Sequence, residues 1–342
     1  MTPVNAEAIR HLIVRTPNWL GDSVMALPTL RALRAGLPRA RITLVGAWAG
    51  LLAGQSVADG WLVYPRAWAG RLAATRPIRA LGADTALLLP NSLESALAAR
   101  LWGARRRIGF AADHRAGLLT HPLEPGADRR HQVEEYLTLL EAFGLSPGER
   151  EPSWRLEPAG TDPERLDRLF DSVGLRESKP LVGVQLGAAF GPSKLWPVER
   201  VASLCDALAS RGISALLLGS PDDVAGAERV RALSLSGVPS LAGRDSPELL
   251  PCLLSRLDLL VSGDTGTAHL AAAIGLGVVA LFGPTDPRLT RPMGSRSATI
   301  WKKPPCAPCF LTRCPIEHVC MRSITVDEVL REVEARLSRT LP

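Results

Sequence analysis

Residues 262–287 read SGDTGTAHLAAAIGLGVVALFGPTDP and concentrate groups suited to holding an anion. A strand predicted over 257–261 runs into the small-residue turn Ser262, Gly263, Asp264, Thr265 and Gly266, and a helix follows from about Thr267. The first N–H groups of a helix lack intrahelical acceptors and carry the positive end of its dipole, so a phosphate is a natural ligand there. Asp264 and His269 flank the turn, where polar side chains can manage a leaving group. A second strand over 278–282 ends in Gly283-Pro284-Thr285. Glycine turns also join strands to helices in any doubly wound fold, so this segment alone leaves phosphate binding and plain loop chemistry both open.

Four further segments sit at predicted strand ends. The loop 185–197, QLGAAFGPSKLWP, carries Ser193 and Lys194, one of few lysines in an arginine-rich chain, and its Pro197 suits a helix start. A flexible point charge there suits a phosphate, while a surface lysine beside a packed tryptophan is the plainer alternative. The segment 17–23, PNWLGDS, follows the first strand and lacks the G-x-G-x-x-G spacing of a nicotinamide-dinucleotide site. It offers instead the carboxylate of Asp22 at a helix start, as a general base for a hydroxyl or simply as an N-cap. The segment 219–223, GSPDD, places Asp223 where an acid can bind ribose hydroxyls or cap the next helix. The segment 89–92, LPNS, directs Asn91 and Ser92 to the same edge of the first half, where Ser92 is also a cap candidate.

The elements that position these groups alternate strand and helix. Strands are expected over 12–15, 42–45, 62–64 and 86–89, with helices between them and over 92–101 and 132–143. A polar, Pro/Gly-rich stretch over 144–164 reads as a linker. The alternation restarts with a helix over 164–173 and a strand over 181–185, then helix 198–211, strand 213–218, helices 223–235 and 247–254, strand 257–261 and a last helix over 326–337. Such alternation implies parallel sheets covered on both faces, here as two Rossmann-like doubly wound domains, 1–155 and 156–342. They are expected to face a cleft, with ligands at the carboxyl ends of the strands.

At 342 residues and 46% apolar composition, the chain has material for two cores. Its net charge is +6, and residues 66–130 alone carry eleven arginines against five acids. That excess suits an anionic partner, or reflects helices solvated with arginine. With few aromatics for base stacking and no nucleic-acid-binding motif, no nucleic-acid partner is expected. There is no secretory signal pattern and no apolar run near the roughly 20 residues of a spanning helix, so the expected location is cytoplasmic and at most peripheral to the membrane.

Five segments together, NWLGDSVMALP, LPNSLESAL, GAAFGPSKLWP, LLLGSPDD and SGDTGTAHLAAA with LFGPTDP, resemble the ADP-heptose:lipopolysaccharide heptosyltransferases of glycosyltransferase family 9. The resemblance runs from about Leu12 to Arg339 and is greatest to the type II branch, on the wording of FGPSKLWP and LPNS. It implies a GT-B glycosyltransferase that inverts the anomeric carbon, with ADP-heptose as donor and the heptosylated Kdo–lipid A inner core as acceptor, at the inner face of the cytoplasmic membrane. By that resemblance Asp22 is the base and Lys194 binds the donor diphosphate. Ser193, Asp264, Thr265, Gly266 and His269 line the donor pocket, Asp223 lies toward the ribose, and Asn91 contacts sugar or acceptor. No cofactor is expected, because no D-x-D-like motif stands at a strand end. A type I or III enzyme acting on another core hydroxyl, and a sugar-nucleotide epimerase on the same architecture, are the alternatives.

Cys306, Cys309, Cys314 and Cys320 form C-x2-C-x4-C-x5-C in a loop over 301–322, with His318 nearby. In a reducing compartment clustered cysteines suggest a metal before a disulfide. The spacing matches no common zinc pattern, so a structural metal, free thiols and an iron–sulfur centre stay open. The resemblance gives this loop no part in transfer. Cys205 and Cys252 fall in helical patterns and are expected in the core.

Overall fold

The computed structural model describes residues 3–156, 163–175, 180–244 and 246–338. The chain forms two compact units, Met1–Arg155 and Leu156–Pro342.

In the first unit the order is β1 (His11–Arg15), α1 (Leu20–Met25), α2 (Leu27–Gly36), β2 (Arg41–Gly46), β3 (Gly60–Val63), α3 (Trp68–Ala80), β4 (Thr85–Leu88), α4 (Leu93–Leu101), β5 (Arg106–Phe110), β6 (His121–Leu123) and α5 (Gln132–Thr138). The six strands make one parallel sheet, β3-β2-β1-β4-β5-β6. β1 and β4 are buried along their whole length, which is why they read as unbroken runs. β3 lies at one edge and alternates half-buried with exposed residues. β5 and β6 were not expected: β5 opens with Arg106-Arg107, and β6 is three residues long with Pro122 inside, a proline its edge position tolerates.

Much of the expected linker is a strap on this unit. Arg31 holds Ser153 through the hydroxyl and the carbonyl, each at 2.6 Å. Gln55 and Arg155 exchange two hydrogen bonds, at 2.9 and 3.0 Å. Residues 157–162 of that stretch lie outside the described residues.

The second unit contains α6 (Pro163–Asp171), β7 (Leu181–Gln185), α7 (Val198–Ala209), β8 (Ser214–Leu218), α8 (Val224–Leu233), α9 (Leu250–Ser255), β9 (Leu259–Gly263), α10 (Gly266–Ile274), β10 (Gly277–Phe282), α11 (Pro287–Thr290), β11 (Ser297–Trp301), α12 (Val319–Arg322) and α13 (Val326–Leu337). Its sheet is also parallel, in the order β11-β10-β9-β7-β8. α7 and α13 bury one face on the sheet, with Leu204, Cys205, Leu208, Val329 and Val333 in a single core cluster. A Thr325/Glu328 capping box starts α13. Cys205 is fully buried, whereas Cys252 is only half-buried.

Each sheet has one place where the strand order reverses, between β1 and β4 in the first unit and between β7 and β9 in the second. Loops leaving neighbouring strands there diverge to opposite faces and open a crevice at the carboxyl edge. Asp22 and Asn91 follow β1 and β4, while Lys194 and Asp264 follow β7 and β9. The candidate residues of each unit therefore flank that unit's own reversal point.

Candidate active site

In the second unit the turn after β9 is built around Asp264. Its side chain is 6% exposed, and Lys194 Nζ donates to its Oδ2 at 2.5 Å and to its carbonyl at 3.1 Å. Thr285 Oγ1 donates to the same Oδ2 at 2.8 Å. His269 Nε2 lies 3.9 Å from Oδ1, so its influence is electrostatic rather than a full hydrogen bond. Burial works to raise the Asp264 carboxyl, but His269 and the Lys194 ammonium outweigh it and bring its pKa down to about 2. Asp264 is thus a permanent anion that fixes a cation. The Lys194 ammonium, 11% exposed, also lies 4.7 Å from the centre of the Phe190 ring. It is held in place rather than free to swing, unlike the flexible charge expected from sequence.

The helix of this turn begins at Gly266, one residue earlier than expected, with Thr265 as its N-cap. The Thr265 hydroxyl accepts from Ala268 N–H at 3.3 Å and pairs with Ser262 Oγ at 2.9 Å. Thr265 is therefore engaged in shaping the turn, and the N–H groups of Gly266 and Thr267 have no acceptor within the helix. Asp223 also has structural work: its Oδ2 accepts from Ser220 N–H at 2.8 Å and Ser220 Oγ at 2.7 Å, in the capping box of the turn Pro221–Asp223. Pro197 is the N-cap of α7, not its first helical residue.

The segment around the cysteines has a role that its sequence did not show. It takes up every polar group of Ser193, the residue before Lys194. Ser193 Oγ donates to Leu311 O at 2.6 Å and Ser193 N–H to Thr312 O at 3.2 Å, while Ser193 O pairs with His318 Nε2 at 2.5 Å. Ser193 is 3% exposed, so it braces the loop instead of presenting its hydroxyl. Gly191 has φ 143° and a Cβ there would meet Thr312 O at 2.6 Å, so only glycine allows this approach. On the other side, Phe310 N–H donates to Pro284 O at 2.9 Å, and Gly283 packs where a Cβ would meet Met321 Sδ at 2.5 Å. The segment thereby joins the loop bearing Lys194 to the loop bearing Thr285. Cys306 and Cys309 are exposed, Cys314 half-buried and Cys320 buried, all without disulfides. Burial, and then the other three thiols, push the Cys320 thiol up. Among the described residues no three His, Cys, Asp or Glu side chains are gathered to hold a metal ion.

In the first unit Asp22 is the third residue of α1, and Trp19 occupies the N-cap position. The N-cap reading of Asp22 is thereby corrected: its side chain is in the first turn, half-buried. Its charge adds to burial, with that of Glu135, in holding the Tyr136 phenol far above its ordinary range. Asn91 Nδ2 reaches Glu135 Oε1 at 3.5 Å. Ser92 caps α4 by accepting from Ser95 N–H at 3.3 Å. Asp22, Asn91 and Glu135 thus form one polar neighbourhood, and Glu135 was not anticipated.

Two buried arginines that the sequence did not single out shape these loops. Arg115, fully buried, donates to Asn91 Oδ1 at 3.1 Å, Ser95 Oγ at 2.8 Å and Phe110 O at 2.9 Å, and also to Pro90 O. Arg15, 1% exposed, donates to Asn18 Oδ1 at 2.7 Å and stands 4.7 Å from the Tyr64 ring centre. Burial brings both guanidinium pKa values down to about 10, which leaves them charged at neutral pH.

Residues 71–320 match the model of glycosyltransferase family 9 (heptosyltransferase). The chain belongs to this family. It is 30% identical over 303 residues to lipopolysaccharide heptosyltransferase 2 of Salmonella typhimurium, covering 84% of this chain and 87% of that protein. Among solved structures, the ADP-heptose lipopolysaccharide heptosyltransferase II of Escherichia coli superposes with TM-score 0.80 at 26% identity, over 96% and 99% of the two chains. An E. coli heptosyltransferase solved with ADP shares the fold, at TM-score 0.73 and 21% identity over 96% and 100%. The protein is therefore a glycosyltransferase with the two Rossmann-like units of the GT-B class. The family match spans Asn91, Lys194, Asp223, Asp264 and His269 but begins after Asp22.

Proposed function

We propose that this chain transfers heptose from ADP-heptose to the heptosylated Kdo–lipid A inner core of lipopolysaccharide, with inversion at the anomeric carbon. The observation that carries the donor half is the Lys194–Asp264 pair beside the N-terminus of α10. A diphosphate at this turn meets a cation already fixed and two helix N–H groups without acceptors, an arrangement that needs little reorganisation as charge builds on the leaving ADP. Relatives named for lipopolysaccharide heptosyl transfer, and a solved heptosyltransferase carrying ADP, support that donor. The family assignment favours transfer over the epimerase alternative.

Asp22 takes the proton of the acceptor hydroxyl as its oxygen bonds to the anomeric carbon. The bond from that carbon to the diphosphate oxygen breaks, and ADP leaves with the electron pair toward Lys194. Asn91, oriented by Arg115 and Glu135, contacts the sugar or acceptor, and Asp223 with its remaining oxygen lies toward the ribose. No metal or organic cofactor takes part.

The acceptor is embedded in a membrane, and we place the enzyme on the cytoplasmic face as a peripheral protein. Among the described residues no helix is long and apolar enough to cross a membrane. Trp19, Trp68 and Leu72 are half to two-thirds exposed, with Arg66 5.8 Å from the Trp19 ring. Exposed aromatic rings with an arginine beside them suit an anionic membrane surface. The test is ADP release from ADP-heptose with Kdo–lipid A and with heptosyl-Kdo–lipid A. Turnover on the heptosylated acceptor alone is expected. Turnover on Kdo–lipid A alone makes the enzyme type I, and no release with either contradicts the proposed substrates.

A further inference from the structure

We propose that the second unit carries a separate site for a multiply charged phosphate group, formed by Arg200, Arg229 and Arg322 around a cavity of about 560 Å³. Pro192, Leu195 and Trp196, on either side of Lys194 in its loop, line the cavity. Neither Lys194 nor Asp264, Thr265, Gly266 or His269 lines it, so it is distinct from the proposed donor seat.

Three elements bring the arginines together: Arg200 is in the first turn of α7, Arg229 on α8 and Arg322 at the end of α12. Arg211, Arg231, Arg256, Arg288 and Arg336 of the same unit each pair with a carboxylate. Among the described residues the side chains of Arg200, Arg229 and Arg322 make no such pair and no hydrogen bond. Arg200 is half-buried and Arg229 and Arg322 are exposed, and three like charges around one cavity are most favourable with an anion among them. Planar guanidinium forks match phosphate oxygens two at a time.

The backbone adds to the same field. α7 has twelve residues, and its N-cap Pro197 supplies no side-chain cap. Arg200 and Val201 N–H return to Pro197 O, whereas Val198 and Glu199, which line the cavity, stand at the uncapped positive end of the helix. Glu199 is the one acid in the lining, so the cations outnumber it three to one. His318 also lines the cavity, with its Nε2 engaged by Ser193 O. The volume is ample for a diphosphate or a phosphorylated sugar. Such a phosphate can come from the membrane surface or from a free phosphorylated molecule.

Calorimetric titration of inorganic pyrophosphate into the ADP-saturated full chain tests the site, comparing wild type with the triple variant Arg200→Gln, Arg229→Gln, Arg322→Gln. The expected result is pyrophosphate binding to wild type that weakens by about tenfold or more in the variant, with ADP affinity and melting temperature unchanged. A parallel titration with phosphatidylcholine vesicles containing phosphatidic acid separates the sources. Weaker vesicle binding by the variant assigns a membrane phosphate, and vesicle binding equal to wild type alongside lost pyrophosphate binding assigns a free one. Pyrophosphate that fails to bind wild type, or binds both proteins equally, overturns the site. If ADP itself does not bind, the donor reading fails, yet the wild-type and variant contrast in pyrophosphate still decides this one.

Discussion

His269 and Lys194 hold Asp264 ionised, and this has a consequence in acid. The Asp264 carboxyl lies at about 2 when folded, against an ordinary 3.8, so its ionisation favours the folded state. That contribution, on the order of 2 kcal/mol, is fully present above the unfolded value, shrinks as pH falls below it, and is gone once pH passes below the folded value. Asp264→Asn should therefore flatten the acid limb of a denaturation series between about pH 4 and pH 2; an unchanged limb would refute the assignment. Lys194→Ala should lower kcat by about 10²–10³, the range for losing one preorganised donor to a developing anion. Arg115→Met leaves Pro90 O, Asn91 Oδ1 and Ser95 Oγ without their buried donor, so urea unfolding should show a loss of about 2–4 kcal/mol. Lys194, Asp264 and His269 were legible because their types and strand-end positions carry a mechanism. Arg115 and Arg15 were not, since no local pattern separates a buried arginine from a solvated one. Part of the arginine excess read as an outward-facing field is in fact internal, with Arg71 paired to Glu94 and Arg106 to Asp84.

At the scale of elements, the loop bearing Lys194 owes its shape to a segment more than a hundred residues away. Gly191→Ala would place a Cβ 2.6 Å from Thr312 O at a backbone angle side chains rarely adopt. Titration should show about tenfold weaker ADP binding, while Gly148→Ala, which meets nothing within 4 Å, serves as a neutral control. His318→Ala should raise KM for the donor more than it lowers kcat, because it loosens Ser193 rather than removing a group that touches substrate; an equal effect on both would contradict a bracing role. The central strands were legible as apolar runs bounded by turns, and α13 as a helical pattern over 326–337. β5, β6 and β11 were not: β6 and β11 are edge strands, partly polar and stabilised by the neighbour they pair with, and β5, next to the edge, opens with two arginines. The brace was equally hidden, since it consists of hydrogen bonds to backbone groups between segments distant in sequence.

For the whole molecule, the proposed function divides labour between the two units, with Asp22 and Asn91 in the first and the proposed donor seat in the second. The restart of the strand–helix alternation showed that there are two. The strap over the end of the first unit was less visible, because Pro/Gly-rich composition describes an anchored irregular segment as well as a linker. Trp19→Ala with Trp68→Ala should weaken binding to anionic vesicles while sparing ADP affinity, and equal sedimentation with the vesicles would remove that surface from the account. In the proposed mechanism Asp22 acts as base and has no part in holding the donor. The direct measurement is ADP affinity and ADP release from ADP-heptose with heptosyl-Kdo–lipid A, in wild type and Asp22→Asn. Release lost by a factor of at least about 10², with ADP affinity unchanged, is the predicted result. Release that survives the substitution, or ADP binding that falls with it, would contradict the account.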